Sequence, residues 1–492
     1  MHLHRWLAPL LIVAFAACSK PVPEMAGAAT KIPAAPTQPG YAAAPCHGDF
    51  SFLANTVECG TLVVEETRGS GNGRLVSLPV VRVRALNHPK TDPVIFLHGG
   101  PGGGVVKGLA KRLKERRAPI TEDRDWIFFD ERGTGLSTPS LDCGSLGLSD
   151  AGLTSDQAAT DAVECGQSLS KQGIDLSRFN TIEIVKDLTD LRKALGVTTY
   201  NLYGVSYGAR VAMGVMQHDP SGLRAVVLDA PWPPEASWTA PIGPLVSREL
   251  RQVLALCAAD GACNTRHPAL ESRLDAMTRK WLESPPSNDK GHRYAAEELA
   301  AYLLDALYDD EGARSLPMTL EQIIGGDRSA LDEFLVEQSG YTEGQFFTHL
   351  CKEEFAFESP SDIQGLQGTD PIAQATARAA KRYFDACKGF DVGAADPVEN
   401  QPVASDIPTL MLTADIDAGC PPEYALSAAT HLGHAQVLNM PNMTHAVASR
   451  SPCAKRMIAA FFDQPAATVD ATCIANDRPT FPFILYPAPK SG

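Results

Sequence analysis

The amino-acid sequence predicts an α/β chain. It reads as a mostly parallel, doubly wound sheet with helices on both faces and a helical cap inserted between core strands. Three observations carry this expectation. Strand and helix patterns alternate between residues 75 and 229. Helical periodicity alone fills 233–400. The strand–helix alternation then resumes.

The first residues precede the fold. Met1–Arg5 is short and cationic, and Leu7–Ala17 is an apolar run. That run is shorter than the roughly 20 residues a membrane helix needs. Small residues Ala16 and Ala17 then lead to Cys18, the pattern of a signal peptide over 1–18. The Phe15-Ala16-Ala17-Cys18 tetrapeptide resembles a bacterial lipobox. The resemblance implies that Cys18 is lipidated and that the chain is exported as a periplasmic or outer-membrane lipoprotein. The alternative is an ordinary cleaved signal. Residues 19–44 are rich in Ala and Pro without apolar periodicity and read as a flexible linker.

The core is expected in two parts, 45–232 and 401–492, with the cap at 233–400. In the first part, Leu75–Leu86, Pro93–Leu97, Asp125–Asp130, Thr199–Tyr203 and Leu223–Asp229 have strand character. Ile182–Leu195 places Ile182, Val185, Leu188, Leu191 and Leu195 on one helical face, and Gly196 closes it. In the cap, Val246–Ala258, Arg293–Tyr308 and Ile372–Cys387 are amphipathic. The second part reads as a strand at Thr409–Thr413, a helix at Pro422–Leu432, a strand at Ala435–Met440 and a helix at Cys453–Phe462.

Composition narrows the function. The formal net charge is −15, which disfavours nucleic acid, because phosphate binding needs clustered Lys and Arg. The short Lys111–Arg117 basic run reads as an exposed helix face. No other stretch is long and apolar enough to span a membrane, so membrane contact is expected only through an N-terminal lipid. No metal or cofactor motif appears: there is no His-Glu-x-x-His, no Cys-x-x-Cys and no dinucleotide fingerprint. Twelve cysteines suit an oxidising compartment. Proximity suggests Cys46–Cys59, Cys143–Cys165 and Cys257–Cys263, with Cys351–Cys387 and Cys453–Cys473 also plausible. Cys420 is then left unpaired, or competes for Cys453.

The chemistry centres on Gly204-Val205-Ser206-Tyr207-Gly208, between an expected strand and an expected helix. A nucleophile elbow needs that context, because the turn is tight and its neighbours must be small. It raises the Ser206 hydroxyl and turns the Tyr207 backbone N–H toward a developing oxyanion. A serine at its ordinary pKa needs a base, and the base needs a carboxylate. His445, just after the last expected strand, is the candidate base. Asp417 is the preferred acid. Asp415 is the alternative two residues earlier, and Asp229 a third option better read as a turn or capping residue. His98-Gly99-Gly100-Pro101-Gly102-Gly103 could supply a second oxyanion donor, Gly100 first and Gly99 next. Asp130 and Arg132 read as a buried structural pair.

Together these motifs resemble the proline iminopeptidase and tripeptidyl aminopeptidase group of serine peptidases with the α/β-hydrolase fold. The matching pieces are His-Gly-Gly-Pro-Gly-Gly at 98–103, Asp-x-Arg-Gly-x-Gly-x-Ser at 130–137, Gly-x-Ser-Tyr-Gly at 204–208, Asp417-x-x-x-Pro-Pro and His445. The resemblance runs from about Cys46 to Cys473 and is weakest in the cap. Glu131 departs from the Gln common at that place. The resemblance implies release of N-terminal residues or short peptides through an acyl-enzyme, without a cofactor. It also implies that cap carboxylates hold the substrate's free α-amine, which points to Glu353 and Glu354 in Cys351-Lys352-Glu353-Glu354; a solvated acidic helix face is the competing reading. A carboxylesterase acting on small acyl esters, and a non-catalytic surface-binding lipoprotein, are the alternative functions.

Overall fold

The computed structural model describes residues 38–486, apart from 55, 72, 88, 117–119, 144–152 and 337–340. Cys18 and the expected signal peptide lie outside the described residues. The strands are β1 (Gly40–Ala43), β2 (Val57–Glu65), β3 (Leu75–Val83), β4 (Val94–Leu97), β5 (Trp126–Phe129), β6 (Tyr200–Val205), β7 (Leu223–Asp229), β8 (Thr409–Ile416) and β9 (Ala435–Thr444). They form one sheet in the order β1-β2-β3-β5-β4-β6-β7-β8-β9. The ladders joining β1, β2, β3 and β5 are antiparallel, and those from β5 through β9 are parallel.

Strands β4 and β5 are buried along their whole length, and β6, β7 and β8 nearly so. Helices cover both faces, which is why these strands are continuous apolar runs rather than alternating ones. On one face, helices Asp156–Lys171, Thr181–Ala194 and Tyr207–His218 pack through Ala162, Leu169, Ile184, Leu188, Val211 and Val215. On the other, Leu109–Lys114 and Pro452–Asp463 pack through Leu109, Leu113, Met457, Ile458 and Phe461. The doubly wound α/β architecture is the one the alternation predicts.

Between β7 and β8 the chain is helical. Ile242–Ala259, Leu270–Glu283, Ala296–Tyr308, Asp310–Gly325 and Pro371–Ala386 are the main helices of this region. Cys46–Cys59, Cys143–Cys165, Cys257–Cys263, Cys351–Cys387 and Cys453–Cys473 are all bonded. Cys420 is free and buried. Among the described residues, no helix is long and apolar enough to cross a membrane.

Three elements depart from the sequence reading. Gly40–Ala43, inside the stretch read as linker, is the edge strand β1, paired with β2 from Gly40↔Val63 to Ala43↔Gly60. Only Tyr41 of its four residues favours a strand, the other three being Gly40, Ala42 and Ala43, so its ladder partner rather than its composition holds it in place. Strand β2 lacks a clear strand pattern in sequence because Glu58 and Gly60 interrupt its apolar residues. The helix Asp156–Lys171 is polar on most faces. Ser155 starts it by accepting from the Ala158 N–H at 3.1 Å.

Candidate active site

Parallel strands deliver their C-terminal ends to one edge of a sheet, where α/β proteins collect functional loops. Here the register aligns Leu97 with Gly204, Gly204 with Leu228, and Asp229 with Leu412. The glycine loop after β4, Ser206 after β6, and the acid loop of β8 therefore meet at the same edge.

Ser206 links β6 to helix Tyr207–His218 with φ 57° and ψ −121°. A side-chain-bearing residue rarely holds this backbone, so the turn stores strain that the strand and helix on either side enforce. The flanking glycines are sterically required. A Cβ at Gly204 would collide with the Gly208 carbonyl, and one at Gly208 with the Leu97 carbonyl. The Ser206 N–H donates to the Asp229 carbonyl at 2.9 Å, which fixes the turn to β7.

His445 follows β9 and donates from Nδ1 to Asp417 Oδ2 at 2.8 Å. Asp417 is fully buried, and its other oxygen accepts the Cys420 N–H at 2.9 Å. The His445 ring also packs edge-on against Tyr308, centroids 4.8 Å apart. Ser206 and His445 line one cavity of about 580 Å³, together with His98, Gly99, Gly100 and Pro101.

The competing acids are occupied elsewhere. Asp415 accepts from Asn439 Nδ2 at 2.5 Å and the Asn442 N–H at 3.0 Å, which shapes the bend at the end of β9. Asp229 is fully buried. It accepts the Tyr203 hydroxyl at 2.6 Å and the Val447 and Ala448 N–H groups at 3.0 Å each. It thereby caps the turn that follows His445. Burial raises its carboxyl above the usual range.

The glycine loop presses against Ser206. A Cβ at Gly99 would stand 2.9 Å from the Ser206 Cβ. Gly100 has φ 134°, and a Cβ there would meet the Gly102 N at 2.6 Å. His98 is half-buried and neutral. Desolvation lowers its pKa to about 4, and its Nδ1–H donates to the Gly99 carbonyl at 2.9 Å. Asp130 holds the loop's far side, accepting N–H groups from Val105 at 2.6 Å, Val106 at 2.9 Å and Leu136 at 2.8 Å. Arg132 does not pair with it. It forks onto both oxygens of Asp187 at 2.7 Å each, so the expected structural pair is two separate braces.

Glu353 and Glu354 are where the structure departs most from expectation. Both sit in a short π-helical turn, Leu350–Glu354, and both are about 1% exposed. Neither lines the Ser206 cavity. Glu353 accepts from the Thr181 N–H at 2.7 Å and the Thr181 hydroxyl at 2.8 Å, and its Oε2 is 3.2 Å from His349 Nδ1. Glu354 is ion-paired with Arg210 at 2.6 Å. Arg210 belongs to the helix that Ser206 opens, so these acids brace the elbow helix against the cap. They cannot reach a substrate amine in the cavity without breaking that network. They are not a solvated face either.

The cavity's cap side is made by residues with no recognisable sequence signal: Trp238, Tyr308, Tyr341 and Phe346, with carboxylates Asp305 and Glu343. The cap touches the glycine loop directly, where the Thr342 N–H donates to the Gly102 carbonyl at 2.9 Å.

Comparison with known proteins agrees with the fold. Residues 92–306 match the family described as alpha/beta hydrolase fold, and 373–473 the one described as TAP-like protein. The serine protease Hip1 of Mycobacterium tuberculosis is 28% identical over 198 residues, 36% of each chain. A proline iminopeptidase of Xylella fastidiosa is 29% identical over 141 residues, 29% of this chain and 33% of its own. The match therefore spans about a third of the length of these relatives. A putative hydrolase of Mycobacterium bovis is 26% identical over 387 residues, 72% of this chain and 73% of its own.

Proposed function

From the premise that this chain belongs to the α/β-hydrolase fold family and carries a TAP-like C-terminal segment, we propose that it is a serine peptidase removing N-terminal residues or short peptides. The observation that carries this reading is the Asp417–His445 hydrogen bond, whose histidine shares one cavity with the strained Ser206.

In the proposed reaction, Ser206 Oγ attacks the scissile carbonyl carbon while His445 takes its proton. Asp417 fixes the ring by accepting Nδ1–H and stabilises the imidazolium that forms. The Tyr207 and Gly100 N–H groups receive the oxyanion, each worth on the order of 3–4 kcal/mol of transition-state stabilisation. His445 returns the proton to the leaving amine, and an acyl-enzyme remains. Water, deprotonated by His445, releases the acid and regenerates Ser206. No step needs a cofactor.

The free α-amine of a peptide substrate is assigned to Asp305 and Glu343, which line the cavity, in place of Glu353 and Glu354. An ammonium held a fixed distance from Ser206 restricts cleavage to the substrate's first residues. The aromatic walls suit apolar side chains, and would equally suit the acyl group of a small ester, the second reading. Activity in an oxidising compartment after export is part of the proposal, supported by five disulfides.

The test compares free-amine and N-blocked aminoacyl or tripeptidyl amides with short-chain aryl esters. Cleavage of free-amine amides that N-blocking abolishes supports the aminopeptidase. Ester turnover indifferent to an amine, with amides inert, replaces it with the esterase.

A further inference from the structure

One nucleophilic side chain beside Ser206 has no part in hydrolysis. The Cys420 thiol is buried, and its Sγ is 3.8 Å from Ser206 Oγ. The ten other cysteines among the described residues are in disulfides, so this thiol is set apart within an oxidised fold. Its backbone N–H already ties it to Asp417.

The thiol has two further donors around it. One ligand atom each from Asp417, Cys420 and His445 lies within 4.8 Å of the other two. Sulfur, imidazole nitrogen and carboxylate oxygen form the donor set preferred by borderline-soft divalent cations, and Mg²⁺ and Ca²⁺ disfavour it. Zn²⁺ with bonds of about 2.0–2.3 Å places its tetrahedral donors about 3.3–3.6 Å apart. Closing onto an ion therefore asks only about 1 Å of side-chain movement from the observed spacing. Ser206 Oγ, next to Cys420 Sγ, occupies the side from which a fourth donor would come. His445 and Ser206 line the cavity, and Asp417 and Cys420 lie buried behind them.

We propose that Asp417, Cys420 and His445 form a binding site for Zn²⁺ and similar thiophilic divalent cations, and that occupancy reversibly switches the active site off. The ion binds the thiolate, so the thiol proton leaves to solvent. It binds His445 at a ring nitrogen free of its proton, the ring's single proton staying on the other nitrogen, and no electrons are transferred. It also takes the imidazole and carboxylate that proton transfer from Ser206 requires. This consequence for turnover rests on the serine-hydrolase reading. The binding itself does not.

The experiment titrates the purified full chain with Co²⁺, a spectroscopic stand-in for Zn²⁺, and follows thiolate-to-cobalt charge-transfer absorption. The expected result is a band saturating at one equivalent and removed by Zn²⁺. Cys420→Ser should lose the band while circular dichroism and thermal unfolding show an intact fold. Zn²⁺ should lower wild-type turnover at least tenfold, EDTA should restore it, and Cys420→Ser should need at least tenfold more Zn²⁺ for the same inhibition. The site is overturned if wild type gives no thiolate band with excess Co²⁺, or if Cys420→Ser keeps it. The switch is overturned if the loaded wild type hydrolyses as fast as the free one. Should no substrate be turned over at all, the band still decides the site, and only the hydrolase reading fails.

Discussion

Two histidine–carboxylate pairs flank the Ser206-Tyr207 turn, and they are built alike. His445 meets Asp417 at 2.8 Å, and His349 meets Glu353 at 3.2 Å. Both rings stand edge-on to an aromatic neighbour, Tyr308 for His445 and Tyr207 for His349. Their surroundings differ. His445 keeps a side-chain exposure of 13% and lines the cavity that holds Ser206. His349 has none, and is closed in by Tyr207 and Trp232 at ring-centroid distances of 4.6 and 5.4 Å. The acids differ too. Asp417 takes one backbone N–H besides its histidine, whereas Glu353 is tied to Thr181 and lies 3.7 Å from Arg210. The lesson is that a histidine–acid dyad has no function of its own. Access and the third partner decide whether it moves protons or braces helices.

The comparison breaks first on the two histidines. Ser206→Ala and His445→Ala should each lower turnover by about 10⁴-fold or more without altering the fold. His349→Gln should lower turnover by less than about tenfold, with its main cost in stability. Steady-state kinetics beside denaturant titration checks both. Equal losses of turnover from His445→Ala and His349→Gln would erase the distinction.

The next effect is on stability. Arg210→Met removes the cation between Glu353 and Glu354 and leaves two buried acids without it. A loss on the order of 3–5 kcal/mol is expected from breaking such a buried pair. Urea unfolding measures it. A change below about 1 kcal/mol would mean that the network does not brace the elbow helix.

The pH dependence separates the two glutamates. Glu353 is buried, yet the His349 and Arg210 charges and the Thr181 N–H bring its carboxyl down to about 2. Its folded value lies below its unfolded one. Its contribution is therefore present above the ordinary range near 4.5 and is lost as pH falls toward 2. Burial dominates at Glu354 and raises it to about 7 against the pull of Arg210. The folded state then binds the extra proton, so its contribution is lost as pH rises from about 4.5 through 7. Glu353→Gln should flatten the stability curve on the acid side, and Glu354→Gln the side approaching neutrality. Thermal unfolding across pH 2–8 reads both; unchanged curves in both variants would remove the electrostatic account.

The smallest effect concerns the substrate. Glu343→Gln or Asp305→Asn should raise KM for free-amine amides by about tenfold and leave aryl esters within about twofold, because a lost charge-assisted hydrogen bond is worth about 1.5 kcal/mol. Equal changes for both substrate types would detach these acids from amine recognition.

Local pattern determined much of this protein. The strand–helix alternation and the glycine-flanked Ser206 are short-range features, and a tight turn leaves little freedom in which residues can make it. The same holds for His445 after the last strand. Proximity pointed to Cys46–Cys59, Cys143–Cys165 and Cys257–Cys263, whereas the choice between Cys420 and Cys473 for Cys453 was left to the fold, which takes Cys473. Only the tertiary structure decided among the acids. Asp415 lies at the C-terminal end of β8 and Asp417 just beyond it, and the difference lies in which carboxylate meets the His445 ring and which meets Asn439, a packing outcome of β8 against β9. It also decided the fate of Glu353 and Glu354. Their sequence carries no trace of Arg210, 143 and 144 positions earlier, and desolvation inside the cap makes that cation their partner. The cavity walls, from Trp238 to Phe346, were invisible for the same reason. They come from separate helices and loops, and no periodicity along the chain records which of them will face Ser206.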